Sequence, residues 1–206
     1  PGFQVVAGGT EAARVTYHGL AEEYPPRLQV LIDGRSQYSG IFTGGVNWDI
    51  LPVALEDIDR IEVLRGSNAA AYGSNAVMGV INIITLDAAQ VKGYSVSATA
   101  GSQGVEDRLL RWGGEAGDMH LRMTWQEQKD GGISINPNSR NSSLFSLRGN
   151  QYLNSTDELD VQLGMAESNV FRGALNSTGN PWRPTRERTT FAQLGWRRVQ
   201  DSDNEF

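Results

Sequence analysis

Polar and apolar residues alternate with a period of two through most of the second half of the chain. Residues 118–128 show it best: Met119, Leu121, Met123 and Trp125 fall on one side, and His120, Arg122, Thr124 and Gln126 on the other. Residues 93–101 set Tyr94, Val96 and Ala98 against Ser95, Ser97 and Thr99, and residues 158–167 set Leu159, Val161, Leu163 and Met165 against Asp160, Gln162 and Gly164. Weaker versions run through 108–115, 143–152 and 189–199. A period of two marks a strand with two unlike faces, and segments of about ten residues suit strands crossing a membrane at a tilt. The connections alternate as well. Residues 115–118 and 154–157 are short turns, 129–141 and 168–188 are long and polar, and 102–107 is brief. Short turns at one end and long loops at the other are characteristic of membrane barrels, and a connection as long as 168–188 is uncommon in a compact soluble domain. Periodicity alone also fits a soluble β-sandwich.

The first half is patterned differently. Residues 28–32, LQVLI, form an apolar run closed by Asp33-Gly34, which predicts a strand and a tight turn. Ile58, Ile61, Val63 and Leu64 predict a second strand closed by Gly66, and 77–84 a third, apolar on both faces. Pro52 opens VALEDI, a short helix before the second strand. Ser67 or Asn68 is placed to N-cap Ala69–Tyr72, which Gly73 would end. Gly66 to Gly73 has the outline of a phosphate loop, but Ser74-Asn75 stands where Lys-Ser/Thr would have to hold phosphate and magnesium. Residues 35–48, RSQYSGIFTGGVNW, join glycines to Tyr38, Phe42 and Trp48. Aromatics on such a loop mark a recognition surface, or else Phe42 and Trp48 pack on the unit's own core.

Composition narrows the chemistry. The chain has 206 residues, a net charge of −6 and no cysteine. It can form no disulfide, and the acidic balance argues against nucleic acid as a partner. Mean hydropathy is −0.39, with no apolar run of the ~18 residues a membrane helix needs. The two histidines, His18 and His120, lie in different units, and no HExxH, Gly-x-Ser-x-Gly or Cys/His cluster occurs. No catalytic residues, metal ligands or cofactor are therefore expected, and Glu22-Glu23 reads as solvated charge. A start at Pro1-Gly2 and a stop at Phe206 in a polar segment read as an internal fragment or a trimmed chain.

The ordered set LIDG, IDRIEVLRG and YGSNAVMGVINIIT, from Leu31 to Thr85, resembles the plug domain of TonB-dependent outer-membrane receptors. The resemblance covers residues 1–87 and implies an α+β plug domain there. Residues 88–206 would be the N-terminal strands of an antiparallel transmembrane β-barrel, incomplete at about six strands where such plugged barrels close with about 22. Six strands leave two open edges, so the chain alone would aggregate rather than insert as a pore. The family takes up scarce ligands such as ferric siderophores or cobalamin across the Gram-negative outer membrane. The partners implied are TonB, reached through an upstream box absent from this chain, a small-molecule or metal-chelate ligand, and outer-membrane lipid. A non-transporting adhesin or binding protein that reuses the plug and barrel is the alternative. The resemblance puts Tyr24, Tyr38, Phe42, Asn47 and Trp48 in apical loops lining a ligand pocket. It gives Arg60, Glu62 and Arg65 a role in docking the plug to the wall, where they are otherwise ordinary solvated strand charges. RVTYHGL departs from the family pattern, with His18 where arginine is common.

Overall fold

The computed structural model describes residues 3–8, 11–17, 27–39, 45–132, 139–172, 178–179, 181–201 and 204–205. A two-stranded antiparallel sheet comes first, β1 (Phe3–Gly8) with β2 (Glu11–Tyr17). No element is predicted for this segment from the sequence. Residues 27–86 then build a four-stranded mixed sheet from β3 (Leu28–Ile32), β4 (Arg35–Ser36), β5 (Ile58–Arg65) and β6 (Gly79–Thr85), in the order β4-β3-β6-β5. β3 and β6 are parallel and the outer pairs antiparallel. The central pair is covered on both faces, which explains its near-continuous apolar sequence. Leu28, Val30, Ile32, Val46, Ile81 and Ile83 cluster on one face, and Leu31, Ala76 and Val80 on the other.

Local chemistry sets the ends of these elements. Asp33 and Gly34 both take positive φ, 47° and 77°, giving the mirror-image two-residue turn that matches strand twist. The helix α1 (Ala69–Tyr72) stops at Gly73, whose φ of 91° is left-handed. Asn68 stands at its N-cap but makes no capping bond; its Nδ2 donates instead to the Gly66 carbonyl at 3.0 Å. The segment after Pro52 is less helical than its sequence predicts. It forms only a 3-10 turn, Leu55–Asp57, because Asp57 is turned into a buried contact described below. The third strand starts at Gly79, leaving Val77 exposed.

The second sheet runs in sequence order, each strand antiparallel to the next: β7 (Gly93–Ala100), β8 (Glu106–Ala116), β9 (Met119–Asp130), β10 (Arg140–Tyr152), β11 (Asp157–Arg172) and β12 (Arg183–Asp201), with a short β13 (Asn204–Glu205) at its edge. β11 and β12 pair as far as Arg172 and Arg183, so much of the predicted 168–188 loop is a continued hairpin. Its polar residues hid that extension, because strand pairing does not require apolar side chains.

Register sorts the side chains of this sheet into two unlike faces. Leu110, Trp125 and Phe145 stand abreast on the outward face, as do Leu159 and Trp196. Tyr94, Val96, Leu194 and Trp196 are exposed there, Tyr94 by 80%. The other face buries Arg122, Thr124, Ser146, Asn150 and Gln162 against the first unit. Apolar outside and polar inside is the reverse of a soluble sandwich and the arrangement of a barrel wall around a polar lumen. Among the described residues no helix is long and apolar enough to cross a membrane, so crossing would fall to the strands.

The connection between units is a 3-10 turn, Ala88–Gln90, closed by a reciprocal cap between Asp87 and Gln90. It brings the Val91 carbonyl so close to β8 that a Cβ on Gly113 would lie 2.1 Å from the oxygen. Gly113→Ala must therefore push backbone from backbone. It is expected to cost about 1–3 kcal/mol, read as a lowered thermal unfolding midpoint, whereas alanine at Gly195, which has room, meets no such clash.

Candidate functional site

The two units meet through charge. Asp57, 1% exposed, points from the 3-10 turn into the wall. It accepts from Thr124 Oγ1 at 3.0 Å and Ser146 Oγ at 3.4 Å, and Arg111 Nη1 and Arg122 Nε face it at ion-pair distances of 3.6 and 3.7 Å. Asp33, in the β3–β4 turn, accepts from the Thr85 N–H and hydroxyl at 2.8 Å each, with Arg148 Nη1 at 3.8 Å. The same arginines also grip main chain. Arg111 donates to the Glu56 carbonyl, Arg122 to that of Leu86, and Arg148 to those of Thr85 and Leu86 at 3.0 and 3.2 Å. Asn150, fully buried, accepts from the Ala88 N–H at 3.0 Å. Arg111, Arg122 and Arg148 come from three adjacent strands, β8, β9 and β10, and form a clasp around residues 56–57 and 85–86.

None of these clasp residues stands out as a docking residue from sequence. A signal exists for the wall half, since the arginines occupy the polar positions of period-two strands. None exists for Asp57, one acid among several. The charges that do stand out lie elsewhere. Arg60 is exposed and pairs with its neighbours Asp59 at 2.8 Å and Glu62 at 2.9 Å. Hydrogen bonds to those two carboxylates raise its pKa. Glu62 also accepts from Asn82 Nδ2 at 3.3 Å, and Arg65 is exposed. β5 is an edge strand of its sheet, and among the described residues neither Arg60 nor Glu62 makes a charge pair with the wall. Arg60 does border a 450 Å³ gap at the short-turn end, across from Glu158, Asp160 and Arg197.

Arg35 adds a further link. Its guanidinium lies 3.6 Å from the centre of the Phe191 ring, a geometry in which cation and ring face attract. Burial lowers its pKa, partly opposed by Asp33. The ring itself lies where a Cβ on Gly164 would be, 2.3 Å from its Cε1, so this contact depends on glycine.

At the long-connection end, the loop after β4 is closed at its base by Ser39 N–H to the Gly45 carbonyl, 3.2 Å. Tyr38 is 52% exposed beside it. Asn47 is buried and fully engaged. Its Oδ1 accepts from the Asp49 N–H at 3.0 Å, capping the 3-10 turn Trp48–Ile50, while its Nδ2 donates to Glu187 Oε2 at 2.7 Å. Asp49 Oδ1 pairs with Arg140 Nη1 at 3.4 Å. Trp48 is half-buried: it packs on the core, as one reading of the sequence expected, and it lines a 310 Å³ cleft with Leu51, Val53, Gln126, Arg140 and Leu144. Its indole N–H is buried and has no hydrogen-bond partner among the described residues. Tyr24, Phe42 and His18 lie outside the described residues. Of the three described positions, Trp48 lines the cleft, whereas Asn47, buried in its own hydrogen bonds, and the exposed Tyr38 do not.

Comparison with known proteins agrees with this architecture. The family model of the TonB-dependent receptor plug domain matches residues 1–80. The vitamin B12 transporter BtuB of Photobacterium profundum is 32% identical over 89% of this chain and 27% of its own length. BtuB of Vibrio cholerae serotype O1 (strain ATCC 39541 / Classical Ogawa 395 / O395) is 35% identical over 54% of the chain and 18% of its own length. The chain thus spans less than a third of the length of either relative. The ferric yersiniabactin uptake receptor FyuA from Yersinia pestis superposes over 98% of this chain and 34% of its own, with a TM-score of 0.73 at 17% identity, a likeness of fold. These relatives are transporters and receptors, not enzymes. A mixed plug sheet clasped by an inside-out antiparallel wall, with matches of this kind, is decisive: the chain belongs to the TonB-dependent receptors of the Gram-negative outer membrane.

Proposed function

We propose that residues 1–87 are the plug and 88–206 the first wall strands of a transporter that takes up a scarce external ligand, of the corrinoid or ferric-chelate class, with energy delivered through TonB. The observation that carries this reading is the cleft at the long-connection end. It lies between plug and wall and is lined by Trp48, Gln126 and Arg140, and Tyr38 stands exposed at the start of the loop that leads to Trp48. Barrels place long connections outside the cell, so this cleft faces incoming ligand. Its lining sets Trp48 and aliphatic side chains of the plug against polar groups of the wall, Gln126, Gln128, Arg140 and Ser142 among them, a mixture that suits a ligand with both apolar and hydrogen-bonding surface. Corrinoids come first for testing, because the relatives above 30% identity carry the name of vitamin B12 transporters.

The clasp supports gating. It seats the plug by polar contacts, with little apolar burial between plug and wall, and a charge-based seat can let go without exposing a large apolar face. Arg60, Glu62 and Arg65 lie on an edge strand, and among the described residues they make no charge pair with the wall; we assign their docking role to wall strands of the full-length receptor.

Three outcomes test the proposal. In a Gram-negative host lacking its own receptor, the full-length receptor should accumulate labelled cyanocobalamin or a ferric siderophore only when TonB is present; equal accumulation without TonB would sink it. Tyr38→Ala should weaken binding of the transported ligand about tenfold while the thermal midpoint stays put, and unchanged affinity would remove Tyr38 from the pocket. Asp57→Ala leaves buried arginines uncompensated and is expected to cost about 3–5 kcal/mol. Protease sensitivity of the plug would report it, and a resistant plug would show that the clasp does not hold the seat.

A further inference from the structure

Two wall strands follow the long connections, and both are tied to one three-residue turn of the plug. Arg140 opens β10, directly after the connection 131–139, and pairs with Asp49 at 3.4 Å. Glu187 lies near the start of β12, after the connection 173–182, and accepts from Asn47 at 2.7 Å. The two contacts are not independent. The Asn47 side chain that reaches β12 through its Nδ2 also accepts the Asp49 N–H through its Oδ1, and so fixes the turn that aims Asp49 at β10. Asn47 and Glu187 are 5% and 8% exposed, so water does not compete for their bond and its geometry is specific. Between the two arms, Trp48 forms part of the cleft wall.

We propose that Asn47, Trp48 and Asp49 form a latch that joins the bases of two external connections to each other and to the plug apex. Loosening one arm loosens the other, because both hang on the same amide. Asn47, Arg140 and Glu187 are then positioning residues: they hold the starts of β10 and β12 against the plug. What moves the latch in use, a ligand pressing on Trp48, rests on the function proposed above; the latch itself does not.

The test needs no ligand. Amide hydrogen exchange is followed in the full-length receptor at residues 140–144 and 183–188, with residues 106–130 as an internal reference. Glu187→Ala cuts the β12 arm and Arg140→Gln the β10 arm. Each should speed exchange at its own strand base about fivefold, the population change from one lost hydrogen bond. Each should also speed exchange at the other base about twofold or more, because contacts that share a partner are coupled. If each variant affects only its own base, or neither base, the latch is refuted. Should one variant also speed exchange across 106–130, it has loosened the wall as a whole, and the other reads the same coupling from the opposite side. Failure here would leave the uptake experiment untouched, and a silent uptake experiment would leave the latch standing.

Discussion

The structure depends on carboxylates of the plug being taken out of water into a lumen that is ready for them. Burying Asp57 alone would be prohibitive, since an unpaired buried charge costs far more than a hydrogen bond returns. The wall meets it with two hydroxyls and two guanidinium groups from β8, β9 and β10. Each arginine in turn uses remaining N–H groups on plug carbonyls. Apolar contact between the units is slight, a cluster of Ala54 with Leu109, Leu144 and Ala166. Direction therefore matters more than area: a plug rotated by a few ångströms would keep most of its van der Waals contact and lose the clasp.

That arrangement follows from the solvent on each side of the wall. The outward face sheds Leu110, Trp125, Leu194 and Trp196 into lipid, so little that is apolar remains for the lumen face to hold a plug with. The plug makes its own apolar core on both sides of β3 and β6, and keeps polar groups for the seam. Glycine is used where the seam is tightest: Gly113 admits the linker carbonyl, and Gly164 admits the Phe191 ring that receives Arg35.

Much of this was legible in the residues. Period-two alternation located all six long strands, because in a wall between lipid and a polar lumen every second side chain must change character. Asp33-Gly34 announced its turn because few other pairs accept two positive φ angles in a row. What stayed hidden depends on contacts distant in sequence. Asn47 bonds a residue 140 positions away, and nothing in its local sequence distinguishes a buried asparagine from a solvated one. Asp57 looked like the end of a helix and proved to be the centre of the clasp. The conspicuous charges of IDRIEVLRG drew attention because they stand on a clear strand, yet among the described residues Arg60 and Glu62 pair within the plug and make no charge pair with the wall. The hairpin of β1 and β2 went unread although Val5-Val6-Ala7 runs into Gly8-Gly9, a turn signal; the apolar run is only three residues long.

Arg111, Arg122 and Arg148 take hold largely through carbonyl oxygens of residues 56, 85 and 86. Every amino acid supplies a carbonyl, so that part of the grip does not read side chains. A lineage could replace much of the plug's surface, as ligand preference drifts, and still seat the result in the same wall, provided the chain bends at those points and keeps an acid at position 57. Plug and wall are in that sense separately editable parts, and recombination between receptors that share the three arginines would yield chimaeras that assemble.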